Sequence, residues 1–188
     1  MKRHELQENF VYNIEKYIVE YHGRNKIVSY TTRPPRTGEV DGVDYNYISK
    51  EEFLEKQSNG FFAEVGQYNG WFYGTAKKDC TDDKIAVLTP HGMRQIKRIN
   101  GINTICVYIK VPRRDRLIKC LQRGDVIEEA VRRNISDVGQ FDGIEDEVDL
   151  VFENDGYVHS VRELGDAIMD KFYELTNSFP EYYIGRRI

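Results

Sequence analysis

The feature of this sequence that most constrains its fold is an alternation of apolar and amphipathic segments in its second half. Residues 85–88 and 104–111 are apolar enough to form buried strands, and each is followed by a helical pattern, at residues 92–98 and 114–122. Such an alternation predicts right-handed βαβ crossovers, because parallel neighbours need a connection long enough to hold a helix. The sequence therefore predicts an α/β core with helices on both faces of a parallel sheet.

Other segments extend this core. Apolar side chains recur at three- to four-residue steps from residue 6 to residue 21, and Gly23 follows, so an amphipathic helix with a glycine C-cap is predicted. Residues 26–30 and 148–152 are strand candidates, and residues 158–175 have the spacing of a final helix.

The composition narrows the class of protein. With 188 residues, 40% of them hydrophobic and 31% charged, the chain suits one compact soluble domain, and no apolar run reaches the roughly 18 residues of a membrane span. Its first residues are polar, so we expect no secretory signal and a cytoplasmic protein. A net charge of −4 argues against broad nucleic-acid binding.

The residue types that commonly bind metals show no ligand spacing. The cysteines are far apart, which predicts reduced structural thiols, and the histidines are isolated. We therefore expect no metal site. The residues concerned are Cys80, Cys106, Cys120, His4, His22, His91 and His159.

A segment of about residues 37–75 is dense in aromatic side chains and glycine. Residues 45–48 and 71–73 resemble short strands, and Ser49 is a candidate cap for a helix over residues 50–57. We expect a small mixed β lobe here, inserted in the core.

Residues 29–39 overlap the start of this lobe and read Ser-Tyr-Thr-Thr-Arg-Pro-Pro-Arg-Thr-Gly-Glu. Arg33 and Arg36 flank a proline pair that favours polyproline II, in which residues three apart project on the same side, about 9 Å from each other. Two planar guanidinium groups held this way can close on one phosphate. A solvated proline-rich loop is the alternative.

Three motifs together resemble the guanylate kinase family. That family carries a Ser-x-Thr-Thr-Arg-x-x-Arg-x-Gly-Glu stretch, then Gly-x-Asp-Tyr, then Tyr-Gly-Ser or Tyr-Gly-Thr; this chain has all three in order, the second at residues 42–45 and the third at residues 73–75. The resemblance runs from about residue 27 to residue 175 and weakens beyond residue 92. It implies a P-loop-kinase-like core, one domain over residues 1–188, and a lobe that binds GMP.

The resemblance also assigns residues to the nucleotide. Those implied to hold the phosphate of GMP or dGMP are Arg33, Arg36, Tyr45 and Tyr73. Those implied to face the guanine base are Ser29, Glu64 and Thr75. A carboxylate there can accept from guanine N1–H and the 2-amino group while a hydroxyl serves O6, which excludes adenine.

The sequence departs from the family around the donor nucleotide. Family enzymes begin with a strand and a Gly-x-x-Gly-x-Gly-Lys type loop that cradles the phosphates of ATP. Gly23 is the only glycine before Arg33 and follows the first predicted helix, so we expect the first strand and the P-loop to be missing. Where the family has an Asp-x-Asp type pair, this chain has Val87 and Thr89, which removes charge that would organise Mg²⁺.

The resemblance implies two further sets of residues. In a lid-like segment at about residues 123–140, the arginines that could reach a transferring phosphoryl group are Arg123, Arg132 and Arg133. A surface helix over residues 129–136 would carry such arginines without any function. Asn154 and Asp155 match a family turn near adenine and could be remnants of an adenine site. No residue is assigned as catalytic beyond these arginines.

A missing first strand would leave backbone groups of the sheet unpaired. The first helix, the segment of residues 178–188, which shows no periodic pattern, or a second subunit of a homo-oligomer could cover the gap. The sequence does not choose among them.

Three functions remain open. The first is a non-catalytic protein that binds a guanine nucleotide or a related phosphorylated ligand. The second is an interaction module that binds phosphorylated peptides or proteins in the same pocket, as the guanylate kinase-like domains of membrane-associated scaffold proteins do. The third is an active nucleoside monophosphate kinase that uses ATP and Mg²⁺, with the donor site supplied by a partner chain or not recognisable here.

Overall fold

The computed structural model describes residues 10–177, apart from the side chain of Glu129. These residues form two compact units. The central unit is Arg24–Thr104, and the terminal unit combines the first described residues, up to Gly23, with the chain from Ile105 onwards. Helices and strands occur in both units, as expected for an α/β chain.

The central unit is built around a four-stranded mixed sheet. Its strands are β2 (Tyr30–Thr31), β3 (Asn46–Tyr47), β4 (Phe62–Tyr68) and β5 (Trp71–Ala76), in the spatial order β3-β2-β5-β4. Strand β2 runs parallel to β3 and antiparallel to β5, and β4 and β5 form a hairpin. This sheet is the small mixed β lobe that the aromatic segment predicts.

Aromatic rings fill the core beneath this sheet. Helix α2 (Lys50–Ser58) begins at Ser49, whose hydroxyl accepts from the Glu52 amide, as predicted for a helix cap. The helix places Phe53, which is fully buried, against Phe62 at a ring-centroid distance of 4.5 Å. Gly74 of β5 faces these rings, and a Cβ atom there would lie 2.9 Å from Phe62 and 3.1 Å from Phe53. Only glycine allows this approach.

A second, two-stranded sheet pairs β1 (Asn25–Lys26) with β6 (Lys84–Ile85) in parallel. Helix α3 (Pro90–Lys97) follows β6 and packs against β4. Its first turn is capped by Thr89, whose hydroxyl accepts from the Gly92 amide. Capping therefore fixes the position where the chain turns from strand to helix.

Two strand predictions in this unit need correction. The predicted strand over residues 26–30 is divided, because the Ile27 amide bonds to Ile85 whereas the Ser29 carbonyl already accepts from Asn46 in the other sheet. The predicted strand over residues 85–88 is shorter, since only Lys84–Ile85 pairs and the half-buried residues 86–88 lie beyond the ladder. In both places the apolar run is longer than the stretch that finds a backbone partner.

The terminal unit contains a parallel pair, β7 (Val107–Lys110) and β8 (Leu150–Glu153), in the register Val107↔Leu150. The chain between them forms α4 (Arg113–Arg123) and α5 (Ile127–Ser136), so this connection is helical as predicted. In the described part of the chain β6 pairs with β1, and β7 pairs with β8. The crossover between residues 85–88 and 104–111 stays a prediction. Short 3-10 turns occur at Lys77–Asp79, Ile144–Asp146 and Asp155–Tyr157.

Helices α1 (Phe10–His22) and α6 (Val161–Thr176) pack against each other in the terminal unit. Helix α1 ends where Gly23 adopts φ +66°, as the predicted glycine C-cap requires, while the predicted start at residue 6 lies outside the described residues. The buried side chains between the helices are Ile14, Ile18, Leu164, Ile168 and Met169. Among the described helices, none is long and apolar enough to cross a bilayer.

Candidate functional site

The loop that follows β2 holds the guanidinium of Arg33 in a defined orientation. Arg33 is 8% exposed, and its backbone amide bonds to the Thr31 hydroxyl at 3.2 Å. Nη1 donates to the carbonyl of Pro34 at 2.8 Å, and Nη2 donates to Glu39 Oε1 at 2.9 Å. Although burial disfavours the charge, the hydrogen bond that Arg33 donates to the Glu39 carboxylate, together with the negative charge of Glu39, leaves the pKa of Arg33 raised above its ordinary value. Arg33 is therefore a permanent cation in this loop.

The second oxygen of Glu39 organises the rest of the loop. Oε2 accepts from the Arg36 amide at 2.6 Å and from the Tyr47 hydroxyl at 2.7 Å. Burial alone would raise the pKa of Glu39, but these hydrogen bonds and the one from Arg33 lower it to about 2. Burial and the bond to Glu39 also raise the pKa of Tyr47 to about 12. At neutral pH the carboxylate is thus ionised and the tyrosine is a neutral donor.

Aromatic rings surround the same arginine. The Arg33 guanidinium carbon lies 5.4 Å from the ring centroid of Tyr45 and 5.9 Å from that of Tyr47. Tyr45 and Tyr73 meet edge to face with ring centroids 6.1 Å apart. The structure thus brings Arg33, Tyr45 and Tyr73 together, while Arg36 is an exposed residue at the end of the proline pair.

A second cluster forms where β4 and β5 pair. Glu64 lies opposite Thr75, and the Thr75 hydroxyl donates to Glu64 Oε1 at 2.7 Å. Ser29, the residue before β2, has its hydroxyl 3.4 Å from that of Thr75. Thr75 is fully buried and Glu64 is 9% exposed. The residues predicted to face a guanine base therefore form one polar cluster, in which Glu64 and Thr75 are buried and Ser29 is half-buried.

Burial raises the pKa of the Glu64 carboxyl, an effect that the Thr75 hydrogen bond and the nearby His91 partly oppose. Glu64 Oε2 points toward the start of α3, where a Cβ atom added to Gly92 would lie only 3.0 Å away. The Gln95 side chain holds the next residue of β4, Val65, through both of its backbone polar groups, at 3.1 and 2.8 Å. Helix α3 thereby fixes β4 beside the carboxyl group.

The two clusters lie on one face of the sheet. Tyr73 and Thr75 are two residues apart on β5, so their side chains point to the same side about 7 Å from each other. In the ladder Thr31 pairs with Tyr73, and Glu64 pairs with Thr75. The arrangement places a buried carboxyl group at one end of a surface and a guanidinium with aromatic rings at the other.

Comparison with known proteins places this arrangement in a family. The family model described as guanylate kinase matches residues 13–171, most of the chain. The chain belongs to the guanylate kinase family. It is 39% identical over 120 residues to the guanylate kinase of Nitratidesulfovibrio vulgaris, covering 60% of this chain and 58% of that protein. It is 31% identical over 144 residues to the guanylate kinase of Synechococcus sp. (strain JA-3-3Ab), covering 73% of this chain and 66% of that one.

A solved structure supports the fold. The crystal structure of guanylate kinase from Anaplasma phagocytophilum matches with a TM-score of 0.64 at 23% identity and covers 87% of this chain and 81% of that chain. The chain therefore has a guanylate kinase-like fold, as predicted. The matched part spans only about three fifths to two thirds of the length of the two named curated relatives.

The positions that depart from the guanylate kinase pattern are structural here. Thr89 uses its hydroxyl to cap α3, and Val87 is half-buried after β6. Neither side chain can supply a carboxylate for Mg²⁺. Within residues 10–177, no group of three or more histidine, cysteine, aspartate or glutamate side chains is placed to hold a metal ion.

The lid-like arginines of this guanylate kinase relative belong to the terminal unit. Arg123 is bound to Asp125 by its Nε and Nη2 atoms, and this bond lowers the pKa of Asp125. Arg132 and Arg133 are exposed on α5. A role for them in phosphoryl transfer stays a prediction.

The turn predicted to lie near adenine is held by hydrogen bonds from the side chain of its own asparagine, Asn154. Asn154 is fully buried, its Nδ2 donates to the His159 carbonyl at 3.1 Å, and its Oδ1 accepts from the His159 amide at 2.9 Å. The neighbouring Asp155 is exposed. The side chain of Asn154 thus shapes this loop, and the adenine-side role of the pair stays a prediction.

Sequence reasoning assigned no role to Glu39 or Tyr47. Both carried a signal: Glu39 is the last residue of the arginine motif, and Tyr47 is two residues after Tyr45, the spacing of side chains on one face of a strand. The structure shows that both contact Arg33.

Proposed function

We propose that this chain binds a guanine mononucleotide, GMP or dGMP, in the central unit and does not by itself transfer a phosphoryl group to it. In this proposal the base contacts Ser29, Glu64 and Thr75. The 5′ phosphate contacts Arg33 and Arg36, with Tyr45 and Tyr73 beside it.

The observation that carries this proposal is the buried carboxyl group of Glu64. A buried carboxylate is costly unless donors surround it, and among the described residues the hydrogen bonds to Glu64 come from Thr75, whose hydroxyl donates to Oε1. Guanine offers two adjacent donors, N1–H and the 2-amino group, that suit the other oxygen. Adenine presents an acceptor at N1, so a site that needs donors would exclude it.

The positions of Arg33 and Arg36 support the proposal that the same ligand carries a phosphate. Arg33 presents a charged planar group among tyrosine side chains, and the exposed Arg36 follows after a stiff proline pair. A dianionic phosphate between the two would receive charge-assisted hydrogen bonds, which are about twice as strong as neutral ones. The ribose of a nucleotide can bridge the distance between the two clusters.

The proposal that this chain does not by itself transfer a phosphoryl group is supported by the residues expected around the donor nucleotide, ATP. The family implies ATP as the second substrate, yet the 188 residues contain no Gly-x-x-Gly-x-Gly-Lys type sequence. Val87 and Thr89 remove both carboxylates of the Asp-x-Asp type pair. Phosphoryl transfer depends on positioning and charge stabilisation, and both would be deficient in this chain.

The experiment is isothermal titration calorimetry of the purified chain with GMP, guanosine, AMP and ATP. We expect GMP to bind, AMP and ATP not to bind, and Arg36→Ala to weaken GMP by about tenfold to a hundredfold. No heat with GMP at millimolar concentration would refute the proposal. A phosphoserine peptide that binds where GMP does not would establish the peptide-binding alternative. GMP-dependent ATP consumption, lost in Arg36→Ala, would establish the kinase alternative.

A further inference from the structure

We infer that Glu39 is the positioning residue of the phosphate site: it fixes the Arg33 guanidinium in the orientation that receives the 5′ phosphate, although it brings a negative charge next to that phosphate. The inference deepens the proposed function and rests on it, because it concerns the same site.

Glu39 joins three separate parts of the loop. Its Oε1 accepts from the Arg33 side chain at 2.9 Å, while its Oε2 accepts from the Arg36 amide and the Tyr47 hydroxyl. The Glu39 amide in turn donates to the Arg36 carbonyl at 3.0 Å, which closes a turn. One carboxylate thus holds both arginine positions and the neighbouring strand β3 together.

The guanidinium of Arg33 is consequently set before any ligand binds. Its side chain is 9% exposed, Nη1 donates to the Pro34 carbonyl and Nη2 donates to Glu39, and the guanidinium carbon lies within 6 Å of the ring centroids of Tyr45 and Tyr47, at 5.4 and 5.9 Å. The remaining N–H groups of the guanidinium point in directions fixed by these contacts. A donor that is already oriented loses little conformational entropy when the ligand arrives.

Charge and position make opposite predictions for this carboxylate. If Glu39 mattered only as a negative charge near the phosphate, its removal would strengthen binding of a phosphate dianion. If Glu39 positions Arg33, its removal weakens binding, because the guanidinium would have to be ordered by the ligand. The sign of the change in the GMP dissociation constant therefore decides between the two.

The test measures GMP and guanosine binding to the full chain and to its Glu39→Gln, Tyr47→Phe and Glu51→Gln variants. Glu51 is exposed in the first turn of α2, so its variant is a matched control for the loss of one charge. We expect Glu39→Gln to raise the GMP dissociation constant about tenfold to a hundredfold and Tyr47→Phe about two- to fivefold. Guanosine, which has no phosphate, should bind all four proteins equally.

A spectroscopic readout tests the same inference without ligand. In the NMR spectrum of the free wild-type protein, the Arg33 Nε–H resonance should be sharp and separate from those of exposed arginines. In Glu39→Gln its chemical shift should move toward that of exposed arginines, and the resonance should broaden.

Each other outcome has a defined meaning. Unchanged or tighter GMP binding by Glu39→Gln overturns the inference, and so does an equal loss for GMP and guanosine, which would show a general effect on the lobe. If the wild type binds no GMP, the proposed function itself fails, and the inference fails with it. If Glu39→Gln does not fold, Tyr47→Phe decides by the same comparison of GMP with guanosine.

Discussion

Glu64 and Glu39 are two carboxylates of the central unit whose surroundings shift their pKa values in opposite directions. Glu64 sits where two strands pair; burial raises its pKa, and its hydrogen-bond donor is a neutral hydroxyl. Glu39 sits on a loop, and hydrogen bonds that include one from a cation lower its pKa to about 2 despite burial. The comparison indicates that Glu64 is a carboxylate in need of donors, whereas Glu39 already has them. A ligand should therefore pair with Glu64 and not with Glu39.

The largest expected effect is that of Glu64→Gln. The amide keeps one acceptor oxygen; with its NH₂ group toward the guanine donors, a donor faces a donor, and with the NH₂ group toward Thr75, the threonine hydroxyl must accept and lose its present donation. We expect the GMP dissociation constant to rise about a hundredfold or more, because a buried polar group is left unpaired. Calorimetry would check this. If GMP bound the variant normally while inosine monophosphate or AMP bound no better, Glu64 would have no part in base recognition and the comparison with Glu39 would fail.

A smaller effect is expected for Gly92→Ala. The added Cβ atom would lie 3.0 Å from Glu64 Oε2, so the carboxyl group must move by a few tenths of an ångström. Alanine also favours the helix by up to about 1 kcal/mol relative to glycine. We therefore expect GMP binding to weaken about three- to tenfold while the free energy of unfolding is unchanged or higher. Urea unfolding measured together with calorimetry separates the two, and loss of stability without loss of affinity would show that Oε2 does not face the ligand.

The smallest effect concerns pH. An ordinary glutamate has a pKa of about 4.3. Because the folded-state pKa of Glu64 is raised, this group begins to protonate at a higher pH, and protonation removes the acceptor for guanine. We therefore expect guanosine affinity, as the pH is lowered from 7, to begin to fall at a higher pH than the titration of an ordinary glutamate would cause. Guanosine is the correct ligand because its affinity is independent of phosphate ionisation.

Glu39 supplies the contrasting pH dependence. Its folded-state pKa is depressed to about 2, so its contribution to stability is present above the unfolded value and is lost as the pH falls through about 2. Between pH 7 and 5 it therefore contributes nothing to the change in affinity. A guanosine affinity whose fall followed the titration of an ordinary glutamate, with a pKa of about 4.3, would remove the difference between the two glutamates.

The cluster of Ser29, Glu64 and Thr75 was largely predictable from sequence, whereas the loop that carries Arg33 and Arg36 was predictable only in part. Ser29, Glu64 and Thr75 were assigned through motif resemblance, and regular strand pairing then brings them together. The contacts of Arg33 depend on how a proline-containing loop folds back onto β3, and no periodic pattern encodes that. The sequence therefore showed Glu39 as a residue of the arginine motif but did not predict its contact with Arg33.

The predictions of strand length were wrong for a related physical reason. Residues 85–88 are apolar, but hydropathy reports burial and not whether a backbone partner is present, and only Lys84–Ile85 finds one. Helix limits were more accurate because local capping sets them: Ser49 and Thr89 each end the chain's extended conformation by accepting from an amide in the first turn.

Gly74 separates Tyr73, which lies beside Arg33 and Tyr45, from Thr75, which lies beside Ser29 and Glu64. The rings of Phe53 and Phe62 occupy the space that a side chain at position 74 would need. The consequence concerns the engineering of this pocket. A mutant library that seeks a different nucleotide can target positions 64 and 75, but it must keep residue 74 constant, because a larger side chain there would displace the packed rings of Phe53 and Phe62.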